Sequence, residues 1–158
     1  MRFFEDIEVG WSRELGKHVF SAGEIKRFAS RYDPQLFHMD EAEAEKSHFG
    51  ALCASGWHTA AVCMRCIVDS TKQLAADMAA RGEKIAQTGA SPGFTDLKWL
   101  KPVYAGDTIT YTSEVIETRA SETRPGWGIV KTRFSGKNQN GVQVYQFDGA
   151  VFVERRSA

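Results

Sequence analysis

Asp33 and His38 stand five residues apart in the run Tyr32-Asp33-Pro34-Gln35-Leu36-Phe37-His38-Met39-Asp40, a spacing suited to proton transfer. A carboxylate and an imidazole in a proline-broken, non-helical loop can both be aimed into one cleft. Eighteen residues after His38, Gly56 falls at the expected head of a long helix. The backbone N–H at such a position has no intrahelical partner, and the helix dipole favours negative charge beside it. That is what a developing oxyanion needs, and the missing side chain lets a carbonyl come close. Ser55, one residue earlier, can cap the helix or place a hydroxyl beside the same spot. An Asp before Pro is also a common turn former, so the surrounding elements decide whether these residues meet.

Those elements are readable in outline. Residues 11–20 suit a first strand. Ser21-Ala22-Gly23-Glu24 has the form of a capping box that starts a short helix reaching about Arg31. Asp33-Pro34 ends it, because the residue before proline is pushed out of the α region. Asp40 fits the N-cap of a second short helix, Glu41 to about Lys46. Between 57 and 80, Trp57, Ala60, Ala61, Met64, Ile67, Val68, Thr71, Leu74 and Met78 keep helical apolar spacing. This predicts a long helix burying that stripe, with His58, Arg65, Asp69, Lys72 and Asp77 off it. Strands are expected at 94–100, 107–118, 127–135 and 142–154, with turns at Pro125-Gly126 and Asn140-Gly141. One long helix followed by a run of antiparallel strands is an α+β pattern.

Composition narrows the function classes. Formal net charge is zero, so nothing points to nucleic acid or an anionic membrane as the main partner. No apolar run approaches the ~20 residues that span a bilayer. The start turns acidic at Glu5-Asp6 without an apolar h-region, which leads us to expect a cytoplasmic protein. Three cysteines, an odd number, argue against a disulfide framework. Cys63-Met64-Arg65-Cys66 matches C-x-x-C in form, but no second ligand pair follows, so packing is the expected role.

The segment from Asp33 to Gly56 resembles the hydratase-2 motif of the (R)-specific enoyl-CoA hydratases, in the MaoC-like dehydratase family. That motif runs roughly G-D-x-N-P-L-H-x-D, with a glycine later at the head of the central helix. Asp33, His38, Asp40 and Gly56 match it. Leu97 to Asp107, with Pro102-Val103-Tyr104-Ala105-Gly106-Asp107, is similar to the family's P-V-x-x-G-D segment. The likeness extends from about Phe4 to Glu154. Gln35 replaces the motif's asparagine, Leu36 its proline, and Ser55 stands where the hydratases often carry a histidine.

The resemblance implies a hotdog fold: an antiparallel sheet curled around a long central helix, about 55–81, in a single domain over 1–158. It implies a hydro-lyase acting on a 2-enoyl or 3-hydroxyacyl thioester of coenzyme A. Asp33 and His38 would be the catalytic pair that activates water. The Gly56 N–H would serve the enolate oxygen, with Ser55 beside it. No metal or separate cofactor is implied, and coenzyme A enters only with the substrate. At least a homodimer, joined through sheet edges, is expected. Two other functions stay open: a hotdog acyl-CoA thioesterase and a non-catalytic acyl-binding module. His48 and His58 are possible further contacts, Trp57, Phe37 and Met64 possible acyl-pocket walls, and Lys98 and Lys101 possible phosphate partners.

Overall fold

The computed structural model describes residues 2–156. After a single 3₁₀ turn (Phe4–Asp6) come β1 (Ser12–Val19), α1 (Ala22–Tyr32), α2 (Leu36–Met39), α3 (Glu41–Lys46), α4 (Gly56–Ala80), β2 (Phe94–Trp99), β3 (Thr108–Ala120), β4 (Trp127–Lys137) and β5 (Gln143–Glu154). All five strands pair antiparallel in one sheet of order β1-β3-β4-β5-β2. With α4 laid against it, this is the α+β hotdog arrangement. No helix among the described residues is long and apolar enough to cross a membrane.

Local chemistry explains the starts and stops. Ser21 and Glu24 form the capping box of α1, each satisfying the other's backbone N–H. Asp40 caps α3 through Glu43 N–H. Arg81 closes α4 and is followed by Gly82 at φ +71°, a left-handed position that glycine adopts without steric cost. Strand β3 buries Ile109, Tyr111, Ser113 and Val115 in strict alternation, so one face of the sheet meets the core. That core gathers Leu15, Phe20, Ile25, Leu52, Cys63, Tyr111, Val144 and Tyr145. A smaller cluster of Ala86, Val115, Val130 and Val153 lies beneath the N-terminal segment.

Two expectations need correction. The loop carrying His38 is not wholly non-helical: Leu36–Met39 winds into one helical turn, with His38 N–H bonded to Gln35 O. Four residues are too short to show a period. The buried face of α4 is also rotated from the apolar stripe. Thr59, Cys63 and Met78 are buried, whereas Trp57, Met64 and Val68 lie 55%, 52% and 40% exposed. His58, off the stripe, is buried because its ring stacks on Phe28 at 4.6 Å and meets Phe20 edge-on at 5.0 Å. All three cysteines are free, and Cys63 packs in the core as a small hydrophobe.

Candidate active site

The two segments singled out in the sequence meet around residues 52–56. Cys53 N–H donates to Phe37 O, Ala54 N–H donates to Val103 O at 2.7 Å, and Ala105 N–H donates to Leu52 O. The chain leading into α4 is thus clamped between the α2 turn and the 103–105 segment. Gly106, at φ +93°, turns that segment back so that Asp107 can accept from Tyr104 N–H at 2.8 Å.

This clamp brings Asp33, His38, Ser55 and Gly56 to one cavity of about 450 Å³, with Phe37, Trp57, Trp99, Leu100 and Lys101 also on its walls. Asp33 ends α1 as its C-cap. Its Oδ2 accepts from the Ser55 hydroxyl at 2.7 Å, and its Oδ1 accepts from the Gln35 amide at 2.7 Å. Partial burial pushes this carboxyl up, but the Ser55 and Gln35 donors, with His38 nearby, hold it below the usual carboxylate range.

His38 is almost fully buried, and its Nδ1 lies 2.7 Å from Cys53 O. A carbonyl oxygen can only accept, so Nδ1 carries the hydrogen and the neutral ring keeps its lone pair on Nε2. That Nε2 faces Asp33 Oδ2 at 3.5 Å. The separation lets one water sit against both atoms, giving a hydrogen to each. Protonated, the imidazole would have a carboxylate partner already in place.

Ser55 is the N-cap of α4, its hydroxyl accepting from Trp57 N–H at 3.2 Å. Gly56 is the first helical residue, and nothing among the described residues accepts from its N–H. Only glycine fits here: a Cβ would stand 2.5 Å from Trp99 Cε2. The sequence anticipated a close backbone approach at Gly56 but not that an indole would occupy the space. It also noted Gln35, as the replacement of the motif's asparagine, without giving it a contact, and gave Trp99 no role.

The other candidates divide. Phe37, Trp57 and Lys101 line the cavity. His48 lies tilted against Phe49 with ring centres 3.8 Å apart, and His58 is enclosed by Phe20 and Phe28; neither lines it. Lys98 pairs with Asp96 on β2. Met64 lines a separate, largely apolar cavity of about 420 Å³ further along α4. Among the described residues no three His, Cys, Asp or Glu side chains converge as a metal site.

Known proteins resemble this chain in sequence and fold. A MaoC-like dehydratase from Rhodospirillum rubrum superposes with a TM-score of 0.81 at 33% identity, covering 100% of both chains. The uncharacterized protein YdeM of Bacillus subtilis is 29% identical over 135 residues, 85% of this chain and 86% of that one. Mesaconyl-CoA hydratase of Cereibacter sphaeroides is 36% identical over 67 residues, which is 42% of this chain and 19% of the hydratase. Residues 14–133 match the family model of the MaoC-like domain, a span that holds Asp33, His38, Ser55 and Gly56; the chain belongs to the MaoC-like dehydratase family.

Proposed function

We propose that this protein is a hydro-lyase that adds water to a 2-enoyl-CoA thioester or removes it from the 3-hydroxyacyl-CoA. The observation carrying this reading is that Asp33, His38 and Gly56, whose N–H has no acceptor among the described residues, line one cavity. Family membership and the partial likeness to a hydratase of a coenzyme A thioester support it.

The β-carbon of an enoyl thioester becomes electrophilic only when the carbonyl oxygen can take up charge. The Gly56 N–H serves that oxygen; loss of one such donor costs roughly 3–4 kcal/mol of barrier in other enzymes. Water is held between Asp33 Oδ2 and His38 Nε2. As its oxygen bonds to the β-carbon, Nε2 takes a proton and the π electrons move toward the carbonyl. The imidazolium, paired with the Asp33 anion, then returns the proton to the α-carbon. Atoms balance to one added water, and the thioester stays intact. General acid–base action of this kind is worth about 10²–10⁴-fold. This chemistry draws on no cofactor beyond the coenzyme A carried by the substrate.

We also propose that the enzyme is cytoplasmic and assembles as a homodimer or a higher homo-oligomer. Strand β2 is a sheet edge, and Phe94 on β2 and Met64 on α4, both well exposed, lie outside the Asp33–His38 cavity. Edges of this kind are normally covered.

The test follows the enoyl absorbance of a panel of trans-2-enoyl-CoA thioesters alongside free thiol. Loss of alkene without thiol release, abolished in Asp33→Asn, is the expected result. Thiol release in place of hydration would make the protein a thioesterase and overturn the assignment.

A further inference from the structure

Gly56 lacks a Cβ, and the place where one would stand is filled by the Trp99 indole, with Cε2 at 2.5 Å and Nε1 at 2.6 Å. A backbone nitrogen lies roughly 2.5 Å from a Cβ on the same Cα, so Trp99 Nε1 and Gly56 N are within about 5 Å of each other. Two N–H···O bonds of ordinary length to one shared oxygen allow donors up to about 5.8 Å apart. The indole nitrogen only donates. Among the described residues no protein acceptor takes either N–H. Trp99 lines the cavity that holds Asp33 and His38, and 46% of it remains open to solvent. Its ring is steadied by Trp57, which meets it edge-on at 5.1 Å.

We propose that the Trp99 indole N–H is a second donor to the thioester carbonyl oxygen, working beside the Gly56 N–H. The inference rests on the thioester reading given above and adds a residue to it. Negative charge collects on that oxygen as water adds to the β-carbon, and a second donor fixed in place needs no reorganisation to meet it. The indole also walls Gly56 on its β2 side.

Trp99→Phe separates the wall from the donor, because phenylalanine keeps an aromatic face and loses the N–H. The decisive measurement is the infrared carbonyl stretch of but-2-enoyl-CoA, ¹³C-labelled at C1 and bound to each protein. The wild type is expected to lower that frequency, and Trp99→Phe to return it part of the way toward the free thioester. In turnover the variant should lose about a hundredfold in kcat with KM nearly unchanged, at an unchanged melting temperature. Identical carbonyl frequencies in two proteins that both bind the thioester would overturn the second donor alone. A wild type that binds no thioester would overturn the functional reading and this inference with it.

Discussion

Ser55 joins the helix to the carboxylate: its hydroxyl donates to Asp33 Oδ2 at 2.7 Å while accepting from Trp57 N–H at 3.2 Å. The same residue therefore starts the helix that offers the Gly56 N–H and orients the Asp33 carboxylate, the group assigned to water in the proposed reaction. Its removal should have two separable effects. Loss of the cap costs about 1 kcal/mol of stability. Loss of a donor lets the Asp33 carboxyl rise from its lowered position toward the ordinary range.

In the proposed hydration Asp33 works as the anion, which fixes the sign of the second effect. Activity falls as pH drops through its pKa, so raising that pKa moves the acid limb of the profile to higher pH. Gln35→Ala removes the other donor, at Oδ1, without touching the α4 cap. It should move the limb in the same direction with little change in melting temperature. A pH–kcat/KM profile of both variants tests this; an unmoved limb in each would sink the idea.

His38→Ala should abolish turnover by about 10²–10⁴-fold. It also leaves Cys53 O, buried with its residue, without the Nδ1–H it now accepts. We expect a stability loss of about 1–3 kcal/mol beside the kinetic one. His38→Gln, which can restore a donor to that carbonyl, should recover melting temperature more than activity.

Gly56→Ala provides a signed test of the Trp99 packing. An exposed glycine within a helix normally gains stability, up to about 1 kcal/mol, when replaced by alanine. Here the new Cβ would stand 2.5 Å from the indole, so the substitution should destabilise by about 1–3 kcal/mol. In a Trp99→Ala background the same change should be nearly neutral. Chemical denaturation of the four proteins of this cycle gives the coupling directly.

The homodimer carries its own test. Met64→Glu and Phe94→Glu place charge on side chains that are already 52% and 59% exposed, so neither should disturb the core of one subunit. In sedimentation velocity the wild type should run as a dimer or larger and the double variant as a monomer. A wild type that is monomeric and fully active would overturn this assembly.

How far the sequence could be read follows from what each signal measures. The strands follow from alternation, because one buried face forces a period of two along β3; β5 departs from it, with the adjacent pairs Val144–Tyr145 and Phe147–Asp148 both buried. The Ser21–Glu24 capping box and the Asp40 cap are local chemistry and survive folding unchanged. The orientation of α4 is different. Periodicity marks where apolar side chains fall, not which flank meets the sheet, and Trp57, Met64 and Val68 occupy the flank left open. Asp33, His38, Ser55 and Gly56 were each singled out by type, spacing and resemblance. Their joint cavity depends on contacts such as Ala54 to Val103, which no local pattern encodes. Trp99, forty-three residues from Gly56, was beyond reach for the same reason.

His58 adds to the acid dependence of stability. It is 7% exposed between Phe20 and Phe28, and its Nδ1 has no hydrogen-bond partner. Burial lowers its pKa to about 4, against the smaller opposing pull of Glu24, with His18 and Arg27 adding to the fall. The unfolded chain takes up this proton near the ordinary histidine value of about 6.5. Between those two values the unfolded state binds more protons than the folded one, so stability falls as pH drops through that window. Above about 6.5 the group is neutral in both states and contributes no slope. The full loss, reached below about 4, is roughly 3 kcal/mol. His58→Phe keeps a ring against Phe28 and removes the proton site. Urea melts between pH 7 and pH 4 should therefore show a shallower decline in the variant than in the wild type. Parallel curves would mean that other groups govern the acid response.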